Sequence, residues 1–136
     1  MDINIIRLLF DAGLFVLIWM VQLVVYPSFL YYEKQNLVKW HKHYVSVFSV
    51  IVIPLMFGQL IFAAIKLVQL TIIETIVSLS FVIAIWVLTF IQFVPIHNQI
   101  AKNKITPIVL NQLVKRNWSR TILWTLIFCW DIYYYL

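Results

Sequence analysis

Four stretches of this chain are apolar over lengths that match the hydrocarbon core of a lipid bilayer. They cover approximately residues 8–32, 44–68, 70–96 and 119–136. A helix needs about 20 mainly apolar residues to cross a bilayer, and lipid leaves backbone groups to be satisfied within each segment. With 64% hydrophobic and 11% charged residues, the 136-residue chain has more apolar surface than a small water-soluble domain can bury. The predicted fold class is therefore all-α: an integral membrane, antiparallel four-helix bundle that forms one domain, 1–136.

The polar connections between these runs predict an orientation in the membrane. Arg7 and Lys66 fall on one side, whereas the other eight basic residues fall in or beside the first and third connections: Lys34, Lys39, Lys42, Lys102, Lys104, Lys115, Arg116 and Arg120. Basic residues are enriched on the cytoplasmic side. We therefore expect a multi-pass protein of the cell (inner) membrane with both termini on the non-cytoplasmic side. The excess of basic residues on the predicted cytoplasmic side accounts for the net charge of +5. The sequence has no pattern of alternating aromatic and basic residues that would indicate nucleic-acid binding.

The third connection, residues 97–118, has an amphipathic pattern of its own. Apolar residues recur at helical spacing between 105 and 115, and Pro107 suits a first helical turn. This pattern predicts a short surface helix at about 105–115, with Asn117 or Ser119 capping the last span. The sequence also contains a weak internal repeat. The segment from Gln22 to Pro27 in the first run corresponds to the segment from Gln92 to Pro95 in the third run. Such a correspondence is typical of two duplicated helical hairpins.

Polar residues within the apolar runs converge on the predicted cytoplasmic half. Gln22 and Tyr26 lie one helical turn apart, so they share a face. One interpretation is a polar-tipped ligand pocket lined by Gln22, Tyr26, His43, Gln92, His97, Asn117, Arg120, Thr121 and Trp124. The other is that these side chains join helices through hydrogen bonds. On the opposite side, Arg7 and Asp11 are spaced to pair, and the acidic residues there are expected to act as interfacial anchors.

The three histidines allow three kinds of chemistry. A metal site would use His43 and His97, with His41 or Glu33 as further ligands, since imidazole and carboxylate suit zinc or iron. Haem would take His43 and His97 as axial ligands from different helices. Without a cofactor, a histidine can act as a base beside Arg120, which can hold an anion or a developing enolate.

Two motifs in the last third of the chain resemble a known family. Val94-Pro-Ile-His-Asn98, followed by Asn117-Trp-Ser-Arg-Thr121 with Trp124, is similar to the anthrone oxygenase-like family of small four-span membrane proteins. The resemblance implies oxidation of a polycyclic aromatic substrate without metal or organic cofactor. It implies His97 as the base and Arg120 with Asn117 as stabilisers of the oxyanion. Asn98 and Thr121 also match the family pattern and are expected at the ligand.

The leading functional expectation is binding, and oxidation without cofactor, of a small hydrophobic aromatic or quinone-like ligand near the cytoplasmic face. One alternative is a non-enzymatic accessory or scaffold subunit, in a homo-oligomer or a larger membrane complex, that packs by shape against its partner. A second alternative is haem or a single transition metal bound through His43 and His97. Besides the lipid bilayer, the expected partner is a hydrophobic small molecule.

Overall fold

Four helices and no strand make up the computed structural model, which describes all 136 residues. The helices are α1 (Ile3–Tyr31), α2 (Lys34–Gln69), α3 (Ile73–Ala101) and α4 (Pro107–Tyr135). Each helix packs on its neighbours in the chain, and α4 closes the bundle by packing on α1. The all-helical fold class with four helices is therefore confirmed.

Side-chain contacts show that consecutive helices are antiparallel. At one end, His97 from the end of α3 contacts both Tyr26 from the end of α1 and His41 from the start of α2. We call this the histidine end. At the other end, Arg7 from the start of α1 meets Asp131 from the end of α4. We call this the ionic end, and Lys66 near the end of α2 also belongs to it.

Three of the helices are long and apolar enough to cross a membrane, by length and composition: α1, α2 and α3. The fourth has a lower mean hydropathy because it carries charged side chains such as Arg120 and Asp131. Both of these are buried inside the bundle. The exposed surface midway along the bundle is apolar and includes Val16, Met20, Val50, Ile53, Phe57, Ile61, Ile83, Val87 and Leu126. A soluble bundle would expose charged residues on these faces.

The separate surface helix predicted at 105–115 is not present, because α4 runs without a break from Pro107 to Tyr135. No proline or glycine follows Pro107 in this stretch, so the backbone has no local reason to end a helix there. The cap is Thr106, whose side chain accepts a hydrogen bond from the Val109 amide at 3.2 Å. The predicted cap Asn117 is buried within the helix instead.

The first connection is also more helical than the charged loop predicted for residues 33–43. Helix α2 begins at Lys34, so both histidines of this stretch lie on regular helix. Two residues of an α-helix turn the side chain by about 200°. Accordingly His41 is buried, whereas His43 is exposed.

Two wide helical turns mark corresponding places in α1 and α3. Residues Val21–Val25 and Thr89–Phe93 are π-helical, and each segment is followed two residues later by a proline, Pro27 or Pro95. A proline lacks an amide proton and its ring crowds the preceding turn, and a wider turn relieves that crowding. Gln22 and Gln92 each lie within one of these turns, so the repeat seen in the sequence corresponds to a repeated backbone feature.

Candidate functional site

A chain of hydrogen bonds joins three helices at the histidine end. The Tyr26 hydroxyl lies 3.1 Å from His97 Nε2, and His97 Nδ1 lies 2.7 Å from His41 Nε2. The two imidazole rings also stack, with centroids 5.0 Å apart. A neutral imidazole donates through one nitrogen and accepts through the other. The three groups can therefore pass a proton along this row of hydrogen bonds. At any moment, the donor hydrogens of the row all point in the same direction.

Arg120 of α4 lies beside this chain and is only 6% exposed. The carbon at the centre of its guanidinium lies 4.4 Å from the ring centroid of Phe93 and 5.0 Å from that of Trp124. A planar guanidinium stacks on aromatic faces in this way. Its Nε atom is buried and has no hydrogen-bond partner. The site therefore contains a fixed, largely desolvated positive charge.

A cavity of about 440 Å³ separates α2 from α3 toward the histidine end. Its polar groups are concentrated at Tyr26, His97, Asn98 and Arg120. The remaining wall is largely apolar and aromatic, formed by Tyr44, Val45, Phe48, Ser49, Val52, Ile53, Met56, Phe57, Trp86, Thr89, Phe90, Phe93 and Val94. A cavity of this size, apolar with a few polar groups at one end, is typical of sites for small organic ligands.

The cavity opens sideways, through the gap between α2 and α3. Several of its wall residues are also exposed on the outside of the bundle: Val45, Ile53, Phe57, Phe90 and Val94. These residues form an apolar rim. None of these rim residues carries a charge, so the opening of the cavity is apolar.

Gln22, Asn117 and Thr121 form a separate network behind the cavity. The Gln22 side-chain oxygen accepts hydrogen bonds from Asn117 Nδ2 at 2.9 Å and Thr121 Oγ1 at 3.1 Å. Gln22 Nε2 donates to the Val114 carbonyl at 3.2 Å. None of these three side chains lines the cavity wall. Their geometry matches the helix-joining interpretation, and it leaves Asn117 away from the place where a ligand oxygen would lie.

The other predicted ligand residues also lie off the cavity wall. His43 faces outward against Trp40, with ring centroids 5.7 Å apart, so it does not share a site with His97. Trp124 instead donates its indole N–H to Gln59 at 3.1 Å. The Gln92 side-chain oxygen is buried without a partner.

The geometry does not assemble the metal ligands considered from the sequence. Glu33 and His43 are exposed, whereas His41 is buried and bonded to His97. No group of three or more His, Cys, Asp and Glu side chains is close enough to hold a metal ion. His43 and His97 also do not face each other across a space that could hold haem between them.

The ionic end holds a second buried network. Arg7 pairs with Asp11 at 3.0 Å, as predicted, and also with Asp131 at 3.2 Å. Gln59 donates to Asp11 at 2.7 Å, and Arg7 donates to Ser78 at 3.1 Å. Both carboxylates are at most 1% exposed. The expectation that these acids are interfacial anchors is therefore wrong for Asp11 and Asp131, because both are buried and pair with the same arginine, Arg7.

Sequence reasoning missed His41 as the partner of His97, and it missed most of the aromatic wall. A signal was available in the helical spacing. Along α2, residues 41, 44, 48, 52 and 56 recur at three- and four-residue intervals, and along α3 residues 86, 89, 90, 93, 94 and 97 do the same. Two such stripes on adjacent antiparallel helices indicate facing surfaces.

Comparison of the chain with family models, curated proteins and solved structures finds no match in any of the three.

Proposed function

We propose that this protein spans the membrane four times, with the histidine end at the cytoplasmic face and both termini on the other side. The apolar middle of the bundle surface supports this arrangement, as does the burial of Arg120 and Asp131 within α4. At about 1.5 Å per residue, even the 29-residue α4 exceeds the hydrocarbon thickness. Eight of the ten basic residues belong to the histidine end.

We propose further that the protein binds a small, flat, hydrophobic aromatic or quinone-like ligand in the cavity between α2 and α3. The observation that carries this proposal is the combination of an aromatic wall, a lateral apolar rim and hydrogen-bonding groups at one end. Aromatic side chains pack well against flat rings. The ligand oxygen would lie near Tyr26, His97 and Arg120, and the rings would lie toward Phe48, Trp86 and Phe90.

The binding proposal can be tested by filling the cavity. Ser49 lines it, and Ser46, one turn earlier on α2, is exposed outside it. We expect 1,4-naphthoquinone to bind the purified protein in nonionic detergent, measured by calorimetry, and to bind Ser46→Trp equally well. Ser49→Trp should abolish binding because the indole would occupy the ligand volume. Equal binding by the two variants would place the ligand elsewhere.

We propose oxidation without a cofactor as a second activity of the same cavity, as the anthrone oxygenase-like resemblance implies. The supporting observation is that His97 and Arg120 both line the wall. The Tyr26–His97 pair would accept a proton from an acidic C–H group, and Arg120 would stabilise the resulting enolate. Reaction of the carbanion with dioxygen would convert an anthrone CH₂ to a carbonyl with release of one water.

This activity is measurable as dioxygen uptake and quinone formation from anthrone. We expect His97→Ala to lower the rate by about 10²–10⁴-fold, the usual contribution of a general base. The matched control is His43→Ala, which removes an exposed histidine at the same end of the bundle and should leave the rate unchanged. Anthrone binding without oxygen uptake would restrict the protein to a binding role. Absence of binding and turnover in every variant would favour an accessory subunit.

A further inference from the structure

The two buried arginines of this chain differ in their counter-charges. Arg7 is 1% exposed and Arg120 is 6% exposed. Arg7 lies within 3.2 Å of two carboxylates, Asp11 and Asp131. Arg120 forms no ion pair, because every ion pair in the chain involves Arg7. A buried guanidinium without a counter-charge is costly, so the arrangement at Arg120 indicates that something else balances it.

No acidic side chain is positioned to neutralise Arg120. Of the five Asp and Glu residues, only Glu33 belongs to the histidine end, and it is exposed. The others belong to the ionic end: Asp2, Asp11, Glu74 and Asp131. Arg7 pairs directly with the two buried carboxylates there, and Lys66, which lies over the Tyr135 ring without an ion pair of its own, brings a second positive charge to the same end. The buried part of the ionic end is therefore balanced, whereas the histidine end retains one uncompensated positive charge.

The polar groups around Arg120 are neutral and leave it hydrogen-bonding capacity. Its ionisable neighbours include the hydroxyl groups of Tyr26 and Tyr44 and the imidazole of His97. Phe93 and Trp124 lie against the guanidinium, and Nε has no partner. Because Arg120 also forms part of the cavity wall, an anionic group in the cavity could accept its hydrogen bonds.

We infer that the ligand of this cavity is an aromatic molecule carrying one anionic oxygen group, and that Arg120 is its counter-charge. This inference rests on the proposed binding function and specifies the chemical class of the ligand. A single negative charge matches a single guanidinium. An aromatic body fits the wall formed by Phe48, Trp86 and Phe90 better than a flexible acyl chain does.

Three probe compounds distinguish the contribution of ligand charge to binding from the contribution of ligand shape. The first, 2-hydroxy-1,4-naphthoquinone, is an anion at neutral pH, and the second, 2-methoxy-1,4-naphthoquinone, has nearly the same shape without charge. Decanoate provides an aliphatic anion. Dissociation constants would be measured by calorimetry on the full chain in nonionic detergent. We expect the hydroxy compound to bind at least about tenfold more tightly than the methoxy compound, since a hydrogen bond to a charged group contributes at least that much.

Two variants assign this preference to Arg120. Arg120→Gln should reduce the hydroxy-to-methoxy affinity ratio to about one, whereas Arg120→Lys, which keeps the charge, should retain part of it. Arg116→Gln removes an exposed charge one turn away and should leave the ratio unchanged. Thermal unfolding would establish that each variant is folded. If Arg120→Gln does not fold, the wild-type ratio and the Arg120→Lys ratio still decide the question.

The outcomes distinguish this inference from the proposal on which it rests. Equal binding of the hydroxy and methoxy compounds would overturn the anionic ligand and leave aromatic binding intact. Failure of both compounds to bind would overturn the binding function itself. Decanoate binding as tight as that of the hydroxy compound, with the same dependence on Arg120, would overturn the aromatic class and indicate an aliphatic acid.

Discussion

At the scale of single residues, the two ends of the bundle use polar side chains differently. Arg7, Asp11 and Asp131 satisfy one another, and Gln59 and Ser78 complete the network around them. At the histidine end, Arg120 is left without an ion pair next to a cavity. The polar groups at the ionic end therefore satisfy one another, whereas Arg120 at the cavity wall keeps unused hydrogen-bonding capacity.

Removing the cation of the ionic end should strongly destabilise the protein. Arg7→Leu would leave Asp11 and Asp131 buried without their partner. We expect a loss of about 3–5 kcal/mol in the free energy of unfolding, the usual effect of breaking a buried ion pair from one side. Reversible unfolding in mixed micelles, followed by tryptophan fluorescence, would measure it. Replacing all three residues by leucine should restore most of the loss, and a triple variant as unstable as Arg7→Leu would contradict this explanation.

Gln22 provides a test of the separation between the helix-joining network and the cavity. Gln22→Leu removes the acceptor used by Asn117 and Thr121 and should lower the unfolding free energy by about 1–2 kcal/mol, as for other polar contacts between membrane helices. Naphthoquinone affinity should stay unchanged, because Gln22 does not line the cavity. A variant of normal stability with weakened ligand binding would instead restore Gln22 to the ligand site.

At the scale of helices, close packing of α1 on α2 depends on one of the two glycines. A Cβ atom at Gly58 would overlap the ring of Phe10, which also stacks on Phe62 with centroids 5.6 Å apart. At Gly13, a Cβ would meet the Leu55 side chain at 3.5 Å, an ordinary contact distance. The two glycines of the chain therefore have different tolerance for a side chain.

The same substitution at the two glycines should have opposite effects. Gly58→Ala is expected to destabilise the protein by about 1–3 kcal/mol through overpacking against Phe10. Gly13→Ala should be neutral or stabilising by up to about 1 kcal/mol, since alanine favours a helix. Unfolding of both variants under identical micelle conditions checks the pair. Equal stability of the two would mean that the Phe10 ring moves aside at no cost.

At the scale of the whole molecule, the bundle presents an apolar middle and two chemically distinct ends. The histidine end has most of the positive charge, and the ionic end contains both chain termini. If the bundle spans a membrane, these features determine its orientation. In the proposed orientation, the cavity would lie toward the cytoplasmic face, within reach of ligands dissolved in lipid.

Cysteine labelling in whole cells tests this orientation. Cys129, the single native cysteine, is exposed and would first be replaced by alanine. Lys102→Cys at the histidine end should react with a membrane-impermeant maleimide only after permeabilisation, whereas Gln69→Cys at the other end should react in intact cells. The reverse pattern would invert the topology. Reaction of both sites in intact cells would mean that α3, the helix between them, does not cross the membrane.

The number and apolar character of the helices could be predicted from the sequence because the hydrophobic pattern is local. Helix ends were less predictable. Asn117 resembles a capping residue in the sequence, yet its side-chain amide donates a hydrogen bond to Gln22, which lies 95 positions earlier. Of the ligand residues predicted from the sequence, Tyr26, His97, Asn98 and Arg120 line the cavity. His41 was missed because its role depends on the rotation of α2 relative to α3, which a pattern within one helix does not specify.

The two wide turns also determine the angular position of everything that follows them. Because a π-helical turn contains one residue more than an α-helical turn, each one shifts the phase of its helix. One residue corresponds to about 100° of rotation, so shortening Thr89–Phe93 by one residue would turn His97 away from Tyr26 and His41 while leaving α3 helical. The extra residue in each of the two wide turns thus sets the rotation at which Tyr26 and His97 face each other.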